Sequence, residues 1–187
     1  MSDQQHIDKQ HIDQVLAGNT DVFAEIVNAY KNQVAGVCFN MLKDAHLAEE
    51  VGQETFIRLF KSLAQYNYKS TLGTYITRIA INLSLNKLDS IKRRQNRFQE
   101  QTKTHHSFVA NEDRADVKME NAELVQLALN SLKPEARSVV VLRMIEGYSV
   151  TETSEILGIA EGTVMSKLNR AMKKMKETLN RNEKNNG

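Results

Sequence analysis

Ser149, Glu152, Gly158, Lys167 and Arg170 are the residues whose types and spacing bear most directly on chemistry. Ser149-Val150-Thr151-Glu152 has the S-x-x-E spacing in which a hydroxyl and a carboxylate cap the first turn of a helix reciprocally. It predicts a short helix through Leu157, a turn at Gly158, and a second helix from about Glu161 to Leu179. Val164, Leu168, Ala171, Met172, Met175 and Leu179 make the apolar stripe of that second helix. Its other face presents Met165, Ser166, Lys167, Asn169, Arg170, Lys173 and Lys174. A short helix, a glycine turn and a helix with small polar and basic residues form a helix-turn-helix arrangement. Amides at the helix start, with the Thr163 hydroxyl, can hold a phosphate. Ser166, Lys167, Asn169 and Arg170 can reach base edges and phosphates in a major groove. A plain hairpin of two helices with a basic outer face satisfies the same periodicity.

Other chemistries lack their residues. There are no paired carboxylates in a plausible loop, no phosphate-binding glycine loop, no metal-spaced Cys or His cluster and no nucleophile elbow. The chain therefore reads as a protein that is not an enzyme, with no catalytic residues, no cofactor and no metal. His105 and His106 are adjacent in a polar stretch and read as solvent-exposed. Cys38 is the only cysteine, which rules out an intrachain disulfide and fits a reducing compartment. No apolar run approaches the roughly 20 residues of a membrane helix, and the opening MSDQQHIDKQHIDQ has no signal-peptide core. The expectation is a cytoplasmic protein without membrane insertion.

The elements that must position these residues are helical. Among 187 residues there is one proline and no tryptophan, and alternating β-branched runs are few. Phe23, Ile26, Val27, Tyr30, Val34, Val37, Cys38 and Met41 recur at helical spacing within Asp21 to Leu42. Lys43 to His46 is a short connection, and Leu47, Val51, Phe56, Leu59, Phe60 and Leu63 mark a second helix. Tyr66 to Thr71 breaks the pattern as a loop. A third helix runs from about Leu72 to Arg94. Gln95 to Lys118 loses the periodicity and reads as a linker. Leu124, Leu127, Ala128 and Leu132 then begin a second helical unit, Pro134 opens its next helix, and Gly147 ends that helix. The fold class expected is all-α: two small helical domains joined by a flexible linker, the C-terminal one a helix-turn-helix. The boundaries are 1–98, 99–118 and 119–187.

Net charge is only +2, but its distribution is uneven. Cations gather from Lys69 to Lys103 and from Lys167 to Lys184, and acids gather at Glu49, Glu50 and Glu54 and from Glu112 to Glu123. Two basic zones separated by an acidic stretch suit two DNA contacts and a different partner elsewhere. Solvated helix faces give the same pattern.

The stretch SLKPEARSVVVLRMIEGYSVTETSEILGIAEGTVMSKLNRAMKKM resembles the fourth conserved region of extracytoplasmic-function sigma factors. AEEVGQETFIRLFKSL and LGTYITRIAINLSLNKLDSIKRR resemble two successive helices of that family's second region. The resemblance covers roughly residues 20–98 and 119–180, in the family's order. It implies a sigma factor that binds core RNA polymerase and directs promoter recognition, melting at the −10 element and initiation. Val51, Gln53, Glu54, Phe56 and Arg58 are implied to bind the polymerase. Asn67, Lys69, Tyr75, Arg78, Asn82 and Asn86 are implied to meet the melted −10 element. Thr163, Met165, Ser166, Lys167, Asn169 and Arg170 are implied to read the duplex −35 element. Lys92, Arg93 and Arg94 would contact phosphates or offset the helix dipole. Family behaviour also implies an anti-sigma factor as a partner.

Four positions depart from the family's habit. Tyr75 stands where Trp is frequent, and Glu50-Val51-Gly52-Gln53 replaces an Asp-Leu-Val-Gln motif. Ala160 holds a site where Ser or Thr commonly caps a helix, and Met165 replaces a basic residue. A one-component regulator, with a sensing domain joined to a helix-turn-helix, shares the C-terminal pattern. It has no use for AEEVGQETF or for the asparagine-bearing third helix.

Overall fold

A computed structural model describes residues 3–101 and 121–185 of the chain. His105, His106, Lys103 and most of the expected linker lie outside the described residues. Among the described residues every regular element is helical: α1 (Asp3–Leu16), α2 (Phe23–Leu42), α3 (Ala45–Ser62), α4 (Leu72–Gln101), α5 (Asn121–Asn130), α6 (Pro134–Val140), α7 (Val150–Leu157) and α8 (Glu161–Asn185). Short 3₁₀ turns precede α2 at Thr20–Val22 and follow α3 at Leu63–Gln65. A π turn, Val141–Ile145, continues α6.

α1 arises from a segment that reads as merely polar. It buries Asp8, Ile12 and Val15, spaced four and three apart, so a single narrow stripe suffices. The buried Asp8 accepts a 2.6 Å bond from the Tyr30 hydroxyl of α2 and a 2.9 Å bond from Gln4. Burial, followed by the Asp8 carboxylate, raises the Tyr30 phenol far above its usual range. α2 ends where Lys43 turns left-handed at φ 62°, and Asp44 caps α3 by accepting from the Leu47 amide at 2.9 Å.

α4 extends past the expected end at Arg94 to Gln101. Gln95, Arg97, Gln99 and Glu100 are good helix formers, and propensity carries the helix on after its apolar stripe ends. Lys87 ties α4 to α3 through 2.7 Å bonds to both oxygens of Glu50.

The principal core joins α2, α3 and α4 through Ile26, Val34, Val37, Met41, Leu59, Ile76 and Ile81. It does not stop at α4. Val141, Leu142 and Ile156 from the C-terminal group belong to the same cluster and are at most 2% exposed. A smaller cluster of Leu129, Leu132, Val140 and Ala171 seats α8 on α5 and α6. Arg137, 8% exposed, crosses the junction. Its guanidinium donates to Leu129 O at 3.1 Å, Leu132 O at 3.4 Å and, from the other group of helices, Met41 O at 2.6 Å. Each accepting carbonyl lies at or just beyond a helix C-terminus, where a cation is favourable.

Candidate nucleic-acid interface

The helix-turn-helix is built by local rules. The Ser149 hydroxyl accepts from the Glu152 amide at 3.1 Å, and the Glu152 carboxylate accepts from the Ser149 amide at 2.8 Å, completing the capping box. Gly158 ends α7 at φ 64°, a left-handed conformation that glycine adopts without penalty. Ser154 donates to Ile159 O at 2.6 Å across the turn. Ala160 offers no hydroxyl for α8. Instead Thr151 of α7 donates to Glu161 at 2.7 Å, fixing a carboxylate over the first turn of α8, where the dipole favours it.

On α8, Val164 and Ala171 are buried and Leu168 and Met175 half-buried against α5 and α6. Met165, Ser166, Asn169 and Arg170 are exposed, Thr163 and Lys167 half-buried. The six expected −35 residues thus share one end of α8, opposite its packed face. Met172 departs from the expected apolar stripe: it is 40% exposed, one position beyond the buried Ala171. Arg170 lies along its own helix, donating to Ser166 O at 3.1 Å and to the Ser166 hydroxyl at 3.4 Å. These exposed bonds are exchangeable for contacts to a ligand.

A second surface surrounds the start of α4. Tyr66 packs between Tyr68 and Tyr75, with ring centroids 4.8 and 5.1 Å away and the rings tilted by 54° and 40°. Tyr68 sits at φ 59°, and Asn67 accepts from the Lys69 amide at 3.3 Å, so the loop has a defined shape. Burial, then the nearby Asp8, pushes the Tyr66 phenol up to about 12. Tyr66, Tyr68, Ser70 and Leu72 line a cavity of about 290 Å³ with Gln5, Asp8 and Lys9 of α1. Asn67 and Lys69 are exposed at the loop tip. Tyr75 is half-buried and donates to Ser62 at 3.0 Å. Asn82 and Asn86 are exposed along α4. Arg78 is different: it is half-buried and donates to Glu155 O of α7 at 2.8 Å.

The third expected surface, on α3, is rearranged. Val51 is 5% exposed and faces the core, so it cannot itself meet a partner. Phe56 is half-buried against the same core, and Glu54 is half-buried. Gln53 and Arg58 are exposed, Arg58 paired with Glu54 at 2.8 Å. The outer face instead presents Ile57 and Phe60, 47% and 43% exposed. With Gln53 they fall at i, i+4 and i+7, a second stripe at helical spacing in the sequence. Gly52 is not required by close approach, since an added Cβ would stand 3.7 Å from Val34, an ordinary contact. Arg58 also borders Asn82 across a crevice of about 390 Å³, so the α3 and α4 surfaces adjoin.

Among the described residues no group of His, Cys, Asp and Glu has the arrangement to hold a metal ion. No described helix is long and apolar enough to cross a membrane. Cys38 is buried, and burial pushes its thiol up to about 11.

Comparison with known proteins matches both helical groups of the chain to one family. Residues 26–95 match the family model "Sigma-70 region 2", and residues 122–175 match "Sigma-70, region 4". The ECF RNA polymerase sigma factor SigW of Bacillus subtilis is 30% identical over 179 residues, spanning 91% of this chain and 96% of that protein. The ECF RNA polymerase sigma-E factor of Haemophilus influenzae is 26% identical, spanning 90% of this chain and 93% of its own. In fold the chain resembles the sigma factor RpoE of Bartonella quintana, solved with the anti-sigma factor NepR, at a TM-score of 0.65 and 20% identity. That match covers 84% of this chain and 96% of the other.

Proposed function

Given that the chain belongs to the ECF family of RNA polymerase sigma factors, we propose that three separate surfaces divide its work as a promoter-specificity factor. The protein binds core polymerase and directs promoter recognition and initiation. The N-terminal unit, 1–98, holds the polymerase-binding and −10 surfaces, 99–118 links, and 119–187 holds the −35 surface. Bond-making chemistry belongs to the polymerase, so the chain itself acts without catalytic residues, in the cytoplasm, where the nucleoid is.

One observation carries the −35 assignment: a capped helix-turn-helix that buries Val164 and Ala171 while leaving Met165, Ser166, Asn169 and Arg170 free to enter a groove. Arg170 and Lys167 supply charge-assisted bonds to guanine edges and phosphates. Asn169 and Ser166 add neutral bonds, Thr163 a phosphate contact, and Met165 an apolar surface suited to a thymine methyl. Tyr75, Asn82, Asn86, Asn67 and Lys69 serve the melted strand through stacking, amide bonds and backbone charge. Gln53, Glu54, Arg58 and the edge of Phe56, joined by Ile57 and Phe60, give a mixed polar and apolar docking face for the polymerase. Relatives of this fold are solved with anti-sigma factors; a partner of that class covering the same faces is part of this reading.

Arg170→Ala tests the division of labour. One bidentate base contact is worth about 1–3 kcal/mol, or roughly 5- to 150-fold. Initiation at −35-dependent promoters should fall by that factor while co-elution with core polymerase is unchanged. Equal loss of both activities would remove Arg170 from the DNA surface.

A further inference from the structure

Lys43 is a charged residue that the three-surface reading does not use, and it holds a conformation that costs free energy. It ends α2 in the left-handed region at φ 62°, its amide bonded to Phe39 O at 2.9 Å. Glycine would adopt that conformation without penalty. The lysine side chain is half-buried. Its Nζ donates to Gln126 Oε1 of α5. Gln126 is itself oriented: its amide nitrogen donates to Asn40 Oδ1 of α2 at 3.1 Å, which turns the oxygen toward Lys43. Nζ stands over the Phe39 ring, 5.9 Å from its centroid. Arg137 of α6 brings a second cation close, its guanidinium bonded at 2.6 Å to Met41 O, two residues before Lys43. Among the described residues no carboxylate pairs with Lys43. The neighbouring Asp44 turns its own to the Leu47 amide at 2.9 Å.

An ammonium in that setting loses water and gains a neighbour of its own sign. A ring at 5.9 Å lies at the far edge of cation–π range and offsets little of this. Burial, then Arg137, lower the Lys43 ammonium from 10.5 to about 8. At pH 7 about one such amine in ten is neutral, against about one in 3,000 for a lysine at 10.5. Desolvation beside a second cation is a general way of making a lysine nucleophilic. The same contacts select the product. An amide nitrogen keeps one N–H for Gln126 Oε1 and carries no charge beside Arg137. An iminium formed from an aldehyde or ketone would keep the charge there, so acyl transfer is favoured over imine formation.

We propose that Lys43 is an acylation site, its neutral amine attacking the carbonyl carbon of an acyl phosphate or an acyl thioester. A C–N bond forms as the C–O or C–S bond breaks. Phosphate or thiolate leaves with the bonding pair, and the proton from Nζ passes to water or to the leaving group. None of the residues around Nζ is assigned to the polymerase or the promoter, so this chemistry stands or falls apart from the sigma reading.

The test incubates the folded full chain with acetyl phosphate in one arm and the acetyl thioester of cysteamine in the other, from neutral to alkaline pH. Initial acetylation at each lysine is read by peptide mass spectrometry, with exposed Lys31, Lys61 and Lys173 as internal references. The gain in neutral amine is about 300-fold, and a Brønsted slope of about 0.45 returns about 13-fold of it as lost nucleophilicity. Lys43 should therefore react on the order of 20-fold faster than the references at pH 7. Its rate should level off above about pH 8, and its advantage should vanish in concentrated urea. Faster reaction in one arm alone identifies the donor class. Equal rates at Lys43 and the references in both arms overturn the assignment. So does an advantage that survives in urea, which would put its cause in the local sequence and not in Gln126 and Arg137.

Discussion

Replacing Arg137 by methionine should unfold the chain earlier, and the structure fixes how much earlier. The guanidinium makes bonds of 2.6, 3.1 and 3.4 Å to three backbone carbonyls, and the residue is 8% exposed. Burial lowers the arginine's affinity for its proton, but from so high a starting point that it stays charged at neutral pH. Methionine fills similar volume and leaves no charge behind, so the penalty of an orphaned ion does not arise. What remains is the cost of stranded acceptors. The 3.4 Å contact contributes little, and Leu129 O keeps a second donor in the Leu132 amide at 3.2 Å. Met41 O loses its short charge-assisted bond. Two good bonds to a charged donor are worth about 3–6 kcal/mol, and the relief of guanidinium desolvation offsets part of that. The expected net loss is about 3 kcal/mol. With a urea slope of about 2 kcal/mol per molar, the midpoint followed by circular dichroism at 222 nm should fall by about 1.5 M. Arg137→Lys keeps the charge but not the fork, so it should still lose about 2 kcal/mol. An unchanged midpoint for Arg137→Met, or a higher one, would refute the reasoning by showing that desolvation outweighs the three bonds.

Two further substitutions probe local structure. Ser149→Ala removes half of the capping box and should destabilise the chain by about 1 kcal/mol in urea unfolding, with Ser149→Asp restoring most of it. Lys43→Gly should stabilise the chain by about 1 kcal/mol, because φ 62° suits glycine, although the contact of Lys43 with Gln126 is lost. Burial, with Arg137 nearby, lowers the Lys43 ammonium from 10.5 to about 8. The unfolded chain therefore holds more protons between about 8 and 10.5, and wild-type stability should gain from Lys43 as pH rises through that window. Lys43→Gly should lack that gain in urea midpoints compared across the same pH range.

Features set by near neighbours were the legible ones. Ser149, Glu152, Gly158, Pro134 and Gly147 act within a few residues of themselves, and each stands at the cap or turn its type predicts. α1 was illegible because two of its buried residues are apolar and the third is Asp8, whose burial is made tolerable by Tyr30, 22 positions away. Val51 carries the family's pattern but sits on the packed side of α3, and periodicity could not separate that side from the face bearing Ile57 and Phe60. The helix period likewise could not place Met172, one residue past the buried Ala171. Arg137 and Tyr148 bond partners up to 96 and 115 positions distant, which no local spacing encodes. Membership of the sigma family was readable from the motif blocks around Gln53 and Thr163; the packing of α7 over Arg78 was not.

Transcription with purified core polymerase on a genomic promoter library tests the central claim most directly. Adding the chain should produce discrete start sites that share one −35 sequence and one −10 sequence, and omitting it should abolish them. If no promoter-specific initiation appears while the chain alone binds duplex sites, it is a helix-turn-helix regulator and the sigma assignment is wrong.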